Sequence, residues 1–486
     1  MRGISTSVSP QTSPSLANVE QYIIQTETNI MKHTFLLAFL FLTTFSFGQK
    51  TTFNIKYSEQ LAVFVFMQNI SESYPQNVFK TEFQKSRYNN DHYKDIVSKF
   101  DKLAIDYSYS FDGFPYGSKI PMQTRDILKK NLIETKNLND FKLRSVGILP
   151  NKTVCDLAEM ITLFTPIYNE LIYNPNKEQF EKQLVEITRY SKEHRIEVFF
   201  EIGLLFYNSS WDNSIPFEIA FYPLPNSPGF TAQAFYNNFI SAIQTNLKDY
   251  KDLFSVMLHE TFHIIYDEQS LEVKKDIDKF FKENKSKSSN YSYQILNEVL
   301  ATALGNGYVY EKLDGKIDSN DWYYHKYINL LARKIYPIIT DYIAQKKPMD
   351  KDFIDNYIRI YDENFPDWIN KLDNIMAYRY IISENQDDFN SIREMFWYRS
   401  SEENDTEISE ASIDKMQKTP LTKIIIVSKN NKEKLKLIRK QFTELKKWHF
   451  NADKDFSYKI LLEDKSQLIL LNQKTATIET LIKTLK

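Results

Sequence analysis

The chain has 486 residues, 42% of them hydrophobic, too many for one small core, and the length points to about two to four domains. Lys and Arg number 61 against 63 Asp and Glu, a formal charge of −2 with no basic stripe and no long acidic run, so composition gives no electrostatic case for nucleic acid. Phe (35) and Tyr (31) are abundant while Gly (10) is scarce, which favours a helix-rich fold with large aromatic core residues over a turn-rich β-sandwich.

Residues 1–30 are polar and rich in Ser and Thr and read as a leader upstream of a working start at Met31. Residues 31–48 follow the order of a secretory signal peptide: Lys32 and His33, an apolar run from Phe35 to Phe45, then Ser46-Phe47-Gly48. The apolar run is shorter than the about 20 residues that span a bilayer. The expectation is cleavage before Gln49, a mature chain without a membrane span, and a secreted or periplasmic location. The single cysteine, Cys155, can make no internal disulfide, and a large core removes the need for one.

Residues 49–194 read as an N-terminal, mostly helical region. It opens with an alternating run, "TTFNIKYSE", a helical "QLAVFVFMQNISESY" and a turn-rich aromatic loop, "DYSYSFDGFPYGSKIP", together expected to cap the molecule outside its catalytic core. Helices follow, with apolar positions at three and four spacing. Cys155, within "NKTVCDLAEMITLF", is expected to be a buried, inert thiol.

Residues 195–400 read as the catalytic domain. Strands are predicted over 216–225 and 237–246, and helices over about 252–268, 271–284, 293–304, 322–347 and 351–363, with Pro337 kinking or dividing the fourth. Residues 401–419 read as a linker or exposed helix. Residues 420–486 alternate strand, helix, strand, strand and helix, a small separate α/β module expected to serve as a packing support.

The chemistry concentrates in "SVMLHETFHIIYDE", residues 255–268. His259 and His263 lie one helical turn apart, so both imidazoles project from one face and reach one ion at about 2.0 to 2.1 Å. Glu260 is offset around the helix, where the H-E-x-x-H pattern places the general base that works on a zinc-activated water. Flanking "LFSVML" and "FHII" seat this helix in a core. A third histidine at the metzincin spacing is absent.

Downstream, "YSYQILNEVLATALGNGYVY", residues 291–310, carries Glu298 directly after Asn297, with small residues after it that allow close helix packing. Together the two stretches resemble the gluzincin metallopeptidases over roughly residues 215–310. The resemblance implies His259, His263 and Glu298 as Zn2+ ligands, Glu260 as general base, and a peptide or protein as substrate. It also implies an edge strand before the motif helix that binds the substrate backbone, and "NNFISAIQTN" sits in that place. Three departures stand out. The gap between His263 and Glu298 is 34 residues, longer than in the thermolysin-like and alanyl-aminopeptidase-like groups. Thr302 stands where the thermolysin-like helix has an acidic partner for the histidines, leaving Asp267 or Asn297 as alternatives. No G-x-M-E-N stretch is present.

An oxyanion donor outside the ligand set is needed for hydrolysis. Tyr308, Tyr310, Tyr323, Tyr324, His325 and Tyr327 are the candidates, with His325 and Tyr324 ranked first because they follow a turn after the ligand helix. The fold expected is mainly α with a small mixed β-sheet, zincin-like α+β, plus the C-terminal module. Two other readings compete: a secreted binding protein that keeps the fold without catalysis, and a zinc amidohydrolase acting on a non-peptide amide. Retention of Glu260 argues against the first, and the edge-strand geometry against the second.

Overall fold

β1 (Phe53–Tyr57) opens a computed structural model that describes residues 50–225 and 228–485; the leader and signal-peptide readings lie outside these residues. The fold is mainly helical with small mixed sheets. A two-residue ladder, β2 (Ser108–Tyr109) with β3 (Met122–Gln123), closes the aromatic loop. The first larger sheet then takes up β4 (Phe217–Leu224), β5 (Gln233–Phe235) and β6 (Asn238–Gln244) in the order β1-β4-β6-β5. β1, β4 and β6 are parallel, and β5 runs antiparallel to β6.

Every residue of β4 is buried, as expected of a parallel strand covered on both faces. Alternation decides which core each residue enters. Phe217, Ile219 and Phe221 face the core built on the motif helix. Ala220, Tyr222 and Leu224 face a second core filled by the helices Glu59–Ile70 and Asn151–Tyr168. The N-terminal helices therefore cover one face of the same sheet that carries the motif helix on the other, and β1 belongs to that sheet instead of to an outlying cap. Residues from Thr52 onward form one compact unit.

Two local expectations change. β6 is internal, because the short β5 "QAF" pairs along its outer side and takes the edge. Cys155 is exposed, since Val154, Leu157, Ala158 and Ile161 form the buried stripe of its helix and position 155 falls off it. Pro337 leaves its helix undivided over Lys326–Gln345; it lies on the exposed side, where the carbonyl that loses its partner can turn to water.

A second sheet is larger than the predicted module. It comprises β7 (Tyr378–Ser383), β8 (Ser401–Asp405), β9 (Thr422–Val427), β10 (Phe456–Leu461) and β11 (Gln467–Asn472) in the order β10-β11-β9-β7-β8. β7 and β8 come from segments read as catalytic domain and linker. The predicted linker thus contains a strand and the helix Glu410–Gln417, capped by Ser409. One face of this sheet, with Tyr380, Ile382, Ile425 and Leu468, joins the core of the motif helix. No helix among the described residues is long and apolar enough to cross a membrane.

Candidate metal centre

The motif lies on the helix Lys251–Asp267, whose Leu253, Phe254, Met257, Leu258, Phe262 and Ile265 are all buried. Glycines let helices close in on it from two sides. A Cβ on Gly203, in the helix Ile196–Phe206, would meet the Phe262 ring at 2.6 Å and Ile265 at 2.9 Å. A Cβ on Gly305 would meet His259 at its Cβ (2.6 Å), Cα (2.7 Å) and backbone N (2.8 Å). Gly305 belongs to a π-helical segment, Thr302–Val309, that continues the short helix Leu296–Ala301 bearing Glu298. Ser255 ties the pair together by donating to the Gly305 carbonyl at 2.9 Å. π turns inside helices are frequent at functional sites.

This packing brings three ligating side chains together. His259 Nε2 and His263 Nε2 are 3.1 Å apart, and Glu298 places Oε2 3.8 Å from the first and Oε1 3.6 Å from the second. Among the described residues His259, His263 and Glu298 form a group that could hold a metal ion. A tetrahedral ion with bonds of about 2.0 to 2.1 Å spaces its ligand atoms about 3.3 Å apart, close to the separations observed. The donor set also fits: Glu298 Oε2 is buried without a hydrogen-bond partner among the described residues, an arrangement costly for a carboxylate unless a cation faces it.

Electrostatics separate the roles. Burial, with the neighbouring His263, lowers His259 to about 4 and keeps it neutral. Burial opposes the charged form of His263 too, but the Glu298 carboxylate outweighs it and raises that ring to about 9. For Glu298 burial pushes upward, and His263 and His259 reverse this, holding it down at about 2. Glu260 is pushed above the ordinary carboxylate range by burial, and Glu298 adds to the push while His263 opposes it.

The supporting partners differ from the thermolysin-like arrangement. His263 Nδ1 meets Asn297 Oδ1 at 3.0 Å, so Asn297 takes the partner role, while Asp267 is engaged by Lys119 and the Ile120 amide. Thr302 is fully buried and its hydroxyl makes no hydrogen bond among the described residues. The Asn306 side chain and the Ala301 carbonyl support the proton affinity of the His259 ring, although His259 Nδ1 has no partner within hydrogen-bonding geometry among the described residues.

Of the oxyanion candidates, Tyr323 stands at the cluster. Its ring stacks on His259 (centroids 5.9 Å, 22°), and it is one of the groups that hold the Glu298 carboxylate down. Burial and then Glu298 push its own pKa far up, so the phenol keeps its proton. Tyr324 stacks on Tyr323 at 4.6 Å but is 71% exposed. His325 stacks on Tyr398 at 3.8 Å, with Nδ1 buried and unpaired among the described residues. Tyr327 is bound to Asp373, and Tyr308 and Tyr310 lie within or just after the π segment. Tyr323 was legible only as one tyrosine of a cluster; its ring contact with His259 is tertiary. No protein family, curated protein or solved structure matches this chain.

Proposed function

We propose that this chain is a zinc-dependent metallopeptidase of the gluzincin type with a zincin-like catalytic fold. The observation that carries the reading is the convergence of His259, His263 and Glu298 from two helices, with Glu260 on the same helix turn as the first ligand. A parallel sheet with an antiparallel edge strand, β5, lies over the motif helix and supports the same reading. The N-terminal sequence supports an exported enzyme, which N-terminal sequencing of the mature protein checks.

His259, His263 and Glu298 would hold the ion, which when bound supplies Lewis-acid activation of water and of the scissile carbonyl. Asn297 fixes the tautomer of His263 by accepting from Nδ1–H, which leaves the Nε2 lone pair facing the centre. Glu260, with its carboxyl held above the ordinary range, takes a proton from the attacking water and returns one to the leaving amine. Tyr323, protonated and beside the cluster, donates to the oxygen that gains charge. Metal analysis of the purified protein tests the ligand set. The wild type is expected to carry about one zinc per chain, and His259→Ala, His263→Ala and Glu298→Ala to lose it. Full zinc occupancy in all three variants would overturn the assignment.

A further inference from the structure

Asn297 and Glu298 are among the residues that line a cavity of about 800 Å³. Ser289, Asn290, Tyr293, Gln294, Asn297 and Glu298 form one of its walls, a spacing that marks a single face of the helical stretch leading to the metal ligand. At about 1.5 Å per residue this wall is about 13 Å long. The facing wall is made by the N-terminal ends of the second sheet: Tyr378 opens β7, Ser401 opens β8, Leu421 precedes β9 and Lys465 precedes β11. Asn290 and Gln294 bind the two walls together, both donating to the Pro420 carbonyl (2.9 and 2.7 Å).

A strap, residues 116–121, borders the cavity as well. It is tied to the end of the motif helix by Lys119 to Asp267 (2.6 Å) and Glu268 (3.1 Å), and to β8 by the Tyr116 hydroxyl on Glu403 (2.6 Å). The ring surface comes from Tyr266, Phe281 and Tyr293, the last two stacked at 4.5 Å. Charges along the walls are mostly matched within the protein. Asp278 pairs with Lys282 and Asp464 with Lys423. The Lys465 ammonium is held by the Lys282 and Asn284 carbonyls. The remaining Lys418 and Glu463 are exposed and of opposite sign. Gln294 Oε1 and the Tyr293 hydroxyl are buried without hydrogen-bond partners among the described residues.

We infer that this cavity holds the substrate chain on one side of the scissile bond, as an extended segment of about four residues at about 3.3 Å each, and that its rings select a bulky apolar side chain. The inference rests on the peptidase reading, because only a substrate spanning Glu298 occupies both the metal centre and the cavity. It gives the C-terminal sheet a part in substrate recognition, where packing support alone was expected.

The test compares zinc-loaded wild type with Ser400→Trp and Ile120→Trp, which add bulk from two different exposed lining positions. The substrates are eight-residue peptides that differ only in having Phe, Leu, Ala or Asp near the cleaved bond. Wild type is expected to favour Phe and Leu over Ala and Asp by at least about tenfold in kcat/KM. Both variants are expected to keep their zinc and thermal midpoint while that preference falls to near unity. Cleavage without a preference, or a preference that both variants retain, would overturn the cavity assignment and leave the peptidase reading standing. Binding of the same peptides to zinc-loaded Glu260→Gln, followed by fluorescence anisotropy, separates the two readings further. Peptides that bind with the same order of preference but are never cleaved by wild type would retire the peptidase reading, and with it the scissile-bond assignment, and leave the cavity as a peptide-binding site. Neither cleavage nor binding would retire both.

Discussion

Gly305 approaches His259 so closely that a Cβ would lie 2.7 Å from the histidine Cα and 2.8 Å from its backbone N. The neighbour at that point is backbone, which cannot rotate away. Gly305→Ala therefore has to part the π segment from the motif helix, and Glu298 moves with the helix that the π segment continues. The expected outcome is a loss of about 1 to 3 kcal/mol in stability from overpacking, with zinc affinity falling more than stability does. Urea unfolding with and without chelator checks this. An unchanged zinc affinity would show that the two helices need not touch for the site to form.

Asn297 supports the centre through His263 Nδ1 at 3.0 Å. Asn297→Ala removes that acceptor and leaves the ring free to rotate or change tautomer. Zinc affinity is expected to fall about 10- to 100-fold, read by competition with a chromogenic chelator. Asp267→Asn, which alters the strap ion pair but none of the histidine partners, is expected to leave zinc affinity unchanged.

Tyr323 and Tyr324 are adjacent in sequence and opposite in surroundings. Tyr323→Phe keeps the ring on His259 and removes only the hydroxyl, so zinc content is expected to hold while kcat falls about 100-fold. Tyr324→Phe, at an exposed position, is expected to change kcat less than about threefold. Equal effects of the two substitutions would remove Tyr323 from the oxyanion role.

Lys274 gives a pH signature independent of the metal. It is fully buried, its ammonium lies 3.7 Å from the centre of the Tyr266 ring, and it has no hydrogen-bond partner among the described residues. Burial lowers its pKa to about 7, Lys119 lowers it further, and Asp267 and Glu268 oppose the shift. A lysine whose pKa falls on folding binds its proton more readily in the unfolded chain. Unfolding therefore takes up protons between about pH 7 and the ordinary value near 10.5, and stability rises with pH across that window. Lys274→Met is expected to stabilise the protein at pH 7 by roughly 1 to 3 kcal/mol and to flatten the rise. Urea midpoints at pH 7 and 9.5 provide the comparison.

Much of the centre is readable in the chain, because its chemistry is local. His259, Glu260 and His263 fall within two turns of one helix, and Glu298 announces itself by the Asn before it and the small residues after it. What escaped notice depends on contacts between distant segments. β5 takes the sheet edge from β6 through three residues, "QAF", too short to carry a period of their own. The charged stretch 399–415 hides β8, whose polar "SEEND" is held in the sheet by parallel pairing with β7 and by Arg379 and Arg393 on Glu402. The aromatic loop at 106–121 reads as a surface cap, and only folding carries Lys119 to Asp267.

The central claim is that Glu260 works as the base beside a zinc held by His259, His263 and Glu298. Its most direct test is peptide hydrolysis by wild type and Glu260→Gln at matched zinc content. Both proteins are expected to carry about one zinc per chain, with cleavage by Glu260→Gln at least about a thousandfold slower than by wild type. Cleavage by Glu260→Gln within about tenfold of the wild-type rate would contradict the account.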